Sequence, residues 1–184
     1  MRLILASSSP YRRVLLERLG LAFEQIDSQF NEAHSSTMHI AQLVEYNTMG
    51  KAATVLKQHP DGTIIASDQV AICDHQILEK PGNIANAEKQ LALLSGKKAT
   101  FLTGLCLISA NSCQFEIIPY HVYFRSLTNS EIKRYIERDK PLDCAGSFKS
   151  EGLGITLCEK MAGDDPTALV GLPLIRLSQW LNPL

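Results

Sequence analysis

Met1-Arg-Leu-Ile-Leu-Ala6-Ser7-Ser8-Ser9-Pro10-Tyr11-Arg12-Arg13 is the stretch on which the fold turns. Leu3 to Ala6 is a short apolar strand, and three serines follow it. Ser9 is a good N-cap, and Pro10 suits the first helical position because its missing N–H would have had no partner there. The amphipathic segment it opens runs from Pro10 to Leu19 and stops at Gly20. A strand entering a helix through small hydroxylated residues puts backbone N–H groups at the positive end of a helix dipole. Arg12 and Arg13 add charge beside it, so a phosphate is the natural occupant. The same pattern also fits an ordinary strand–turn–helix with solvated arginines.

Working outward, strands and helices alternate. Ala22–Ile26 reads as a strand and residues 31–38 as a loop. His39 to His59 carries Ile40, Leu43, Val44, Ala52, Val55 and Leu56 at helical spacing, with Gly50 weakening it locally. Gly62–Ser67 is a buried strand ending at Asp68. Val70–Asp74 and Gln76–Leu78 form a tight hairpin around Asp74-His75. Asn83–Ser95 is a helix. Ala99–Ala110 and Gln114–Phe124 are long strands joined through Asn111-Ser112. Thr128-Asn-Ser-Glu131 is a capping box before a helix. Cys144–Phe148 and Gly154–Cys158 look strand-like, and 163–166 is a loop. The last helix shows Leu174, Leu177, Trp180 and Leu181 on one face, as core or as an interface. The pattern predicts an α/β fold: a mixed sheet with flanking helices.

The 184 residues suit one domain, and a hydrophobic share of 45% marks an ordinary globular chain. A net charge of −1 argues against a general nucleic-acid or membrane-surface binder, so anion binding must be local. No apolar run approaches the roughly 20 residues of a membrane helix. Leu3–Ala6 is too short for a signal-peptide core. The five cysteines are scattered without a Cys-x-x-Cys pair, which predicts reduced thiols in a cytoplasmic protein.

Candidate chemistry falls on scattered residues. Asp68, at the end of an apolar strand, can take a proton from water or hold a metal, or simply form a turn. Glu32 is a candidate second carboxylate for a Mg²⁺ site completed by substrate phosphates. Lys51 and Lys80 are candidate phosphate cations, although a solvated surface position is the commoner fate of a lysine. The segment 143–152 surrounds Lys149 and Glu151 with small residues, and Gly146 and Gly152 permit close backbone approach to a ligand. The turn 169–173 reads as structural.

Taken in order, these pieces resemble the Maf nucleoside triphosphate pyrophosphatases over nearly the whole chain. The pieces are Leu-Ala-Ser7-Ser-Ser9-Pro-Tyr-Arg12-Arg13, Glu32, Lys51-Ala52, Ser67-Asp68-Gln69, Lys80-Pro81, Thr103-Gly104, Ala145-Gly146 and Gly171-Leu-Pro173. The likeness is to the 7-methyl-GTP branch, through the aromatic Tyr11, Gln69 after the aspartate, and Cys-Ala-Gly-Ser-Phe-Lys-Ser-Glu-Gly at 144–152. The resemblance implies a single Maf/ITP-pyrophosphatase-like domain over 1–184 with a cleft between two lobes. It implies a divalent metal (Mg²⁺ or Mn²⁺) on Glu32 and Asp68, with Asp68 as the base that activates water. Ser7, Ser9, Arg12, Arg13, Lys51, Lys80 and Lys149 would bind the triphosphate, and Tyr11, Gln69 and Glu151 would set base preference.

The physics of those three is sensible. Tyr11 can stack on a cationic methylated guanine, Glu151 can accept from its N–H groups, and Gln69 offers both donor and acceptor. The family also includes enzymes acting on dTTP and UTP, and has been associated with arrest of cell division. The likeness further suggests a homodimer. Asn31 stands where the family usually has Asp, which bears on metal affinity, and Tyr11 stands where close relatives have Trp.

Overall fold

The computed structural model describes residues 2–34 and 38–182. The elements are β1 (Arg2–Ala6), α1 (Pro10–Glu17), β2 (Glu24–Ile26), α2 (Ile40–Gln58), β3 (Gly62–Cys73), β4 (Gln76–Leu78), α3 (Ile84–Leu94), β5 (Lys98–Ser109), β6 (Ser112–Phe124), α4 (Asn129–Asp139), β7 (Cys158–Ala162), α5 (Pro166–Val170) and α6 (Leu174–Leu181). The strands form one mixed sheet in the order β2-β1-β3-β5-β6-β7, with β4 paired to β3. The α/β fold expected from the sequence is the fold observed. The chain divides into two compact units, Met1–Gln69 with Thr103–Ile118 and Asp165–Leu184, and Val70–Leu102 with Pro119–Asp164.

In the first unit, β1 lies parallel to β2 and to β3, with Leu3 opposite Thr63 and Leu5 opposite Ile65. Strand alternation splits its apolar residues between two faces. Leu3, Leu5, Ile65, Leu105 and Leu107 pack with Leu15 and Leu16 of α1 and with Ala168, Leu172, Leu174 and Leu177 around α5 and α6. Ile4, Ala6, Ile64, Ala66 and Cys106 pack instead with Ala52 and Val55 of α2. Trp180 and Leu181 pack on the first of these clusters, so the apolar stripe of α6 belongs to the core. Burial of Cys106 pushes its thiol up to about 12, as suits a residue used for packing.

In the second unit, β3 turns back into β4 through Asp74 and His75, both at positive φ, with Ala71 opposite Leu78. Helices α3 and α4 pack on one another, and Phe148 lies against Phe101 and Phe124. The Thr128–Glu131 capping box is present: Glu131 Oε2 accepts from Thr128 N at 2.8 Å, and Thr128 Oγ1 accepts from Glu131 N at 3.3 Å.

Several local expectations are corrected. The segments 144–148 and 154–158 are not strands. Ala145–Ser147 and Leu153–Leu157 are 3₁₀ turns, and the strand begins only at Cys158. Gly146 and Ser147 both take positive φ, a conformation that a ladder excludes. The β5–β6 turn is Ala110-Asn111, because Ser112 already belongs to β6. β3 does not end at Asp68 but continues to Cys73, because Ala71–Cys73 pair with β4. The loop expected at 31–38 is irregular where described, and residues 35–37 of it lie outside the described residues.

Candidate active site

The first unit holds nine of the predicted site residues: Ser7, Ser9, Tyr11, Arg12, Arg13, Glu32, Lys51, Asp68 and Gln69. Asp68 stands beyond the last β1–β3 pair, Leu5 opposite Ile65, so its neighbour strand has already given way to the serine loop. Its side chain faces α2. There Lys51 Nζ donates to Asp68 Oδ1 at 2.6 Å and also meets Glu32 Oε1 at 2.8 Å. Lys51 and Asp68 are each only 6% exposed, which overturns the surface expectation for this lysine. A buried ammonium of this kind must be paired, and two carboxylates pair it. Asp68 Oδ2 has no hydrogen-bond partner among the described residues.

Glu32 is exposed, yet its place is set from both sides. Two residues before it, Phe30 lies over Gly50 of α2: a Cβ on Gly50 would come within 2.2 Å of the Phe30 ring. Phe30 also tilts against Tyr46. One residue after it, Ala33 is gripped by Asn47, whose Oδ1 accepts from Ala33 N at 2.9 Å and whose Nδ2 donates to Ala33 O at 3.2 Å. Gly50, which weakens the helix on propensity alone, is therefore the seat of the segment that carries Glu32.

On the serine loop, Ser9 caps α1 by accepting from Arg12 N at 3.4 Å. Ser7 Oγ accepts from Ser9 N at 3.2 Å and from Arg12 Nη1 at 3.3 Å, which leaves its own proton to donate. Two of the N–H groups expected to face an anion are thus taken by serine hydroxyls, and the Ser7 hydroxyl and the Arg12 guanidinium are among the donors that remain. Arg12 Nε donates to Gly171 O at 2.8 Å. Burial lowers the Arg12 pKa from the ordinary guanidinium value, while the charges of Asp68 and Glu32 pull it back up. Arg13 is placed differently, in an exposed pair with Glu17 at 3.0 Å. Gln25 Nε2, which no sequence motif singles out, donates to the carbonyls of Ser7 at 2.8 Å and Ser9 at 3.2 Å.

Gln69 follows Asp68 on β3 and so faces the other side of the sheet, toward α5. Its Nε2 donates to Ala168 O at 2.8 Å, Leu169 O at 3.0 Å and Thr103 Oγ1 at 3.0 Å. Two of these are carbonyls, which only accept, so the amide can face one way only. The sequence reading gave Gln69 both a donor and an acceptor for the base. Only the acceptor, Oε1, is left, and it has no partner among the described residues. Ser67 Oγ lies 2.7 Å from Gly104 O and 2.8 Å from Gly171 O. The turn 169–173, read as merely structural, thus supplies carbonyls that orient Arg12, Ser67 and Gln69. Gly171 at φ +114 also keeps a Cβ off Arg12 Nε, 3.3 Å from where it would stand.

Tyr11 is partly buried in the first turn of α1. Lys80, Lys149 and Glu151 belong to the second unit. Lys80 is exposed after β4 and makes no hydrogen bond or ion pair among the described residues. Lys149 N donates to Tyr135 Oη at 2.9 Å, and Ser150 Oγ donates to the exposed Glu151. The close approach expected of Gly146 and Gly152 is taken up by the chain itself. A Cβ would meet Ala71 at 3.4 Å in the first case and the Asp139 carboxylate at 2.5 Å in the second.

A parallel αβ unit, a buried carboxylate–ammonium pair, and an arginine and serine at a helix start make up the kind of site that handles a phosphorylated metabolite. The chain belongs to the Maf family: the model described as Maf-like protein matches residues 2–184. Similar proteins named 7-methyl-GTP pyrophosphatase include that of Pseudomonas aeruginosa, 48% identical over 97% of this chain and 94% of the relative. Those of Alkalilimnicola ehrlichii (46%, 97% and 91%) and Pseudoalteromonas translucida (48%, 97% and 90%) are alike. The solved structure of the Staphylococcus aureus Ham1 protein is similar at TM-score 0.48 and 17% identity, over 70% of this chain and 73% of that one. No helix among the described residues is long and apolar enough to cross a membrane.

Proposed function

We propose that this chain is a nucleoside triphosphate pyrophosphatase that hydrolyses 7-methyl-GTP to 7-methyl-GMP and pyrophosphate, keeping a modified nucleotide out of nucleic acid in the cytoplasm. One observation carries the reading: a buried aspartate with one oxygen bound to Lys51 and the other without a hydrogen-bond partner among the described residues, in the same unit as the Arg12–Ser7 donors. The relatives' names support the substrate.

Asp68 Oδ2 orients and deprotonates a water for in-line attack at the α-phosphorus. Lys51 holds Oδ1, which fixes the orientation of the carboxylate. Ser7, Ser9, Arg12 and Lys51 bind the triphosphate through charge-assisted hydrogen bonds, and Lys80 and Lys149 add to them. Arg13 contributes positive potential. Tyr11 stacks on the methylated base, while Glu151 and Gln69 Oε1 accept from its N–H groups.

The donor set fits a divalent cation. Glu32 and Asp68 converge on one cationic atom, and among the described residues no group of three or more His, Cys, Asp or Glu could hold a metal alone. Two hard oxygen donors suit Mg²⁺ or Mn²⁺ when substrate phosphates and water complete the shell. Bound there, the cation would neutralise charge developing on the phosphate oxygens.

The test is pyrophosphate release from 7-methyl-GTP, GTP, dTTP, UTP and CTP with Mg²⁺ or Mn²⁺, on the unmodified protein and on Asp68→Asn. The expected result is strong preference for 7-methyl-GTP, with turnover abolished and nucleotide binding largely kept in the variant. Preference for dTTP or UTP overturns the base assignment. Near-normal turnover by Asp68→Asn removes Asp68 from the mechanism. Nucleotide binding without release from any substrate makes the protein a nucleotide-binding regulator.

A further inference from the structure

We propose that Asn47 is a positioning residue that sets the cation-binding geometry of Glu32 through the backbone of Ala33. The inference rests on the role given to Glu32 above. Four contacts of the segment 30–33 fall on one stripe of α2: Phe30 on Tyr46 and Gly50, Ala33 on Asn47, and Glu32 on Lys51. Positions 46, 47, 50 and 51 lie at helical spacing, so a single rigid face holds the segment.

Asn47 is 3% exposed, and both ends of its amide are used on one residue, the N–H and the C=O of Ala33. Asn47 thus satisfies both backbone groups of Ala33. A segment without helix or ladder bonds gains its order from such side-chain contacts. Glu32 itself is exposed, so its own packing does not fix it. Loss of the Asn47 grip releases the backbone next to Glu32 and leaves the segment leaning on Phe30 and on the Glu32–Lys51 ion pair. The carboxylate must then be ordered anew each time a cation binds, and that cost appears as weaker cation affinity.

The test uses the full chain with Asn47→Ala and, at the other end of the segment, Phe30→Leu, which keeps an apolar side chain and covers the case in which the first variant does not fold. Three readouts are taken. Mn²⁺ affinity, titrated without nucleotide, is expected to weaken about tenfold in each variant. Amide exchange at Ala33, measured without metal, is expected to lose its protection in Asn47→Ala. The Mg²⁺ concentration for half-maximal pyrophosphate release is expected to rise by the same factor as the Mn²⁺ constant, with the rate recovering at saturating Mg²⁺.

A lowered melting temperature with unchanged Mn²⁺ affinity and unchanged Ala33 exchange overturns the proposal and leaves Asn47 a structural residue. A rate that stays depressed at saturating Mg²⁺ while Mn²⁺ affinity is unchanged overturns it as well. If the unmodified protein releases no pyrophosphate, the functional reading fails, and Mn²⁺ affinity and Ala33 exchange still decide the role of Asn47.

Discussion

Replacing Lys51 by Met separates the electrostatics of the site from its packing. Met keeps the length of the stem but removes the ammonium that lies 2.6 Å from Asp68 and 2.8 Å from Glu32. The two arms are not equal. Asp68 is 6% exposed, so its carboxylate loses the one charge bonded to it and keeps only the more distant Arg12, at a cost of about 3–5 kcal/mol. The side chain of Glu32 is 49% exposed and can turn to water, so that arm adds about 0–1 kcal/mol. For a chain of this size, each kcal/mol moves the melting temperature by about 2–4 °C, so the variant should melt roughly 6–24 °C lower. Removing the second charge as well, in Lys51→Met with Asp68→Asn, eliminates the stranded carboxylate and should recover most of the loss. The assay is urea unfolding near neutral pH in a chelator, then with Mg²⁺. The cation should restabilise the single variant, whose two carboxylates it can pair, by more than it does the unmodified protein. A single variant within about 1 kcal/mol of the unmodified protein, or a double variant as unstable as the single, would refute the account.

Two further outcomes test other parts of the molecule. Gly50→Ala should raise intrinsic helix propensity by about 1 kcal/mol. The new methyl lands on the Phe30 ring, 2.2 to 2.6 Å from three of its atoms, so net destabilisation of roughly 1–2 kcal/mol and reduced turnover are expected. A denaturant midpoint at or above that of the unmodified protein sinks this reading. Glu131 is held near a pKa of about 2, below its ordinary 4.5, first by the Thr128 backbone N–H, then by the Thr128 hydroxyl and Arg125. A depressed folded pKa gives stability that is present above 4.5 and lost as pH falls toward 2. Glu131→Gln should therefore be less stable than the unmodified protein at neutral pH, and the gap should close across that acid window. Parallel pH curves from urea melts of the two proteins would exclude it.

What the sequence determined by itself is what local physics controls. Ser9-Pro10, Asn83 and Thr128–Glu131 announce helix starts because a cap is a contact over three residues, and all three caps are made. Apolar periodicity over 40–58 announces α2, and the strand–helix alternation announces the class. The family's residue order also marked Asp68, Glu32, Lys51 and Arg12, and these four assemble in one unit. Tertiary structure decided the rest. Lys51 reads as a surface lysine because burial of an ammonium depends on partners that lie 19 residues before it and 17 after it. Gly50 read only as a weak point of its helix and Asn47 carried no signal, since a ring from Phe30 and the backbone of Ala33 give them their meaning. The small-residue segments at 144–148 and 154–158 fit a strand by composition, but positive φ at Gly146 and Ser147 turned the first into a 3₁₀ turn. The amide of Gln69 could have faced either way until the carbonyls of Ala168 and Leu169, 99 and 100 residues further on, fixed it. Caps and periodicity are read within a turn or two of chain. Burial, pairing and hydrogen-bond direction depend on atoms that only the folded chain brings together.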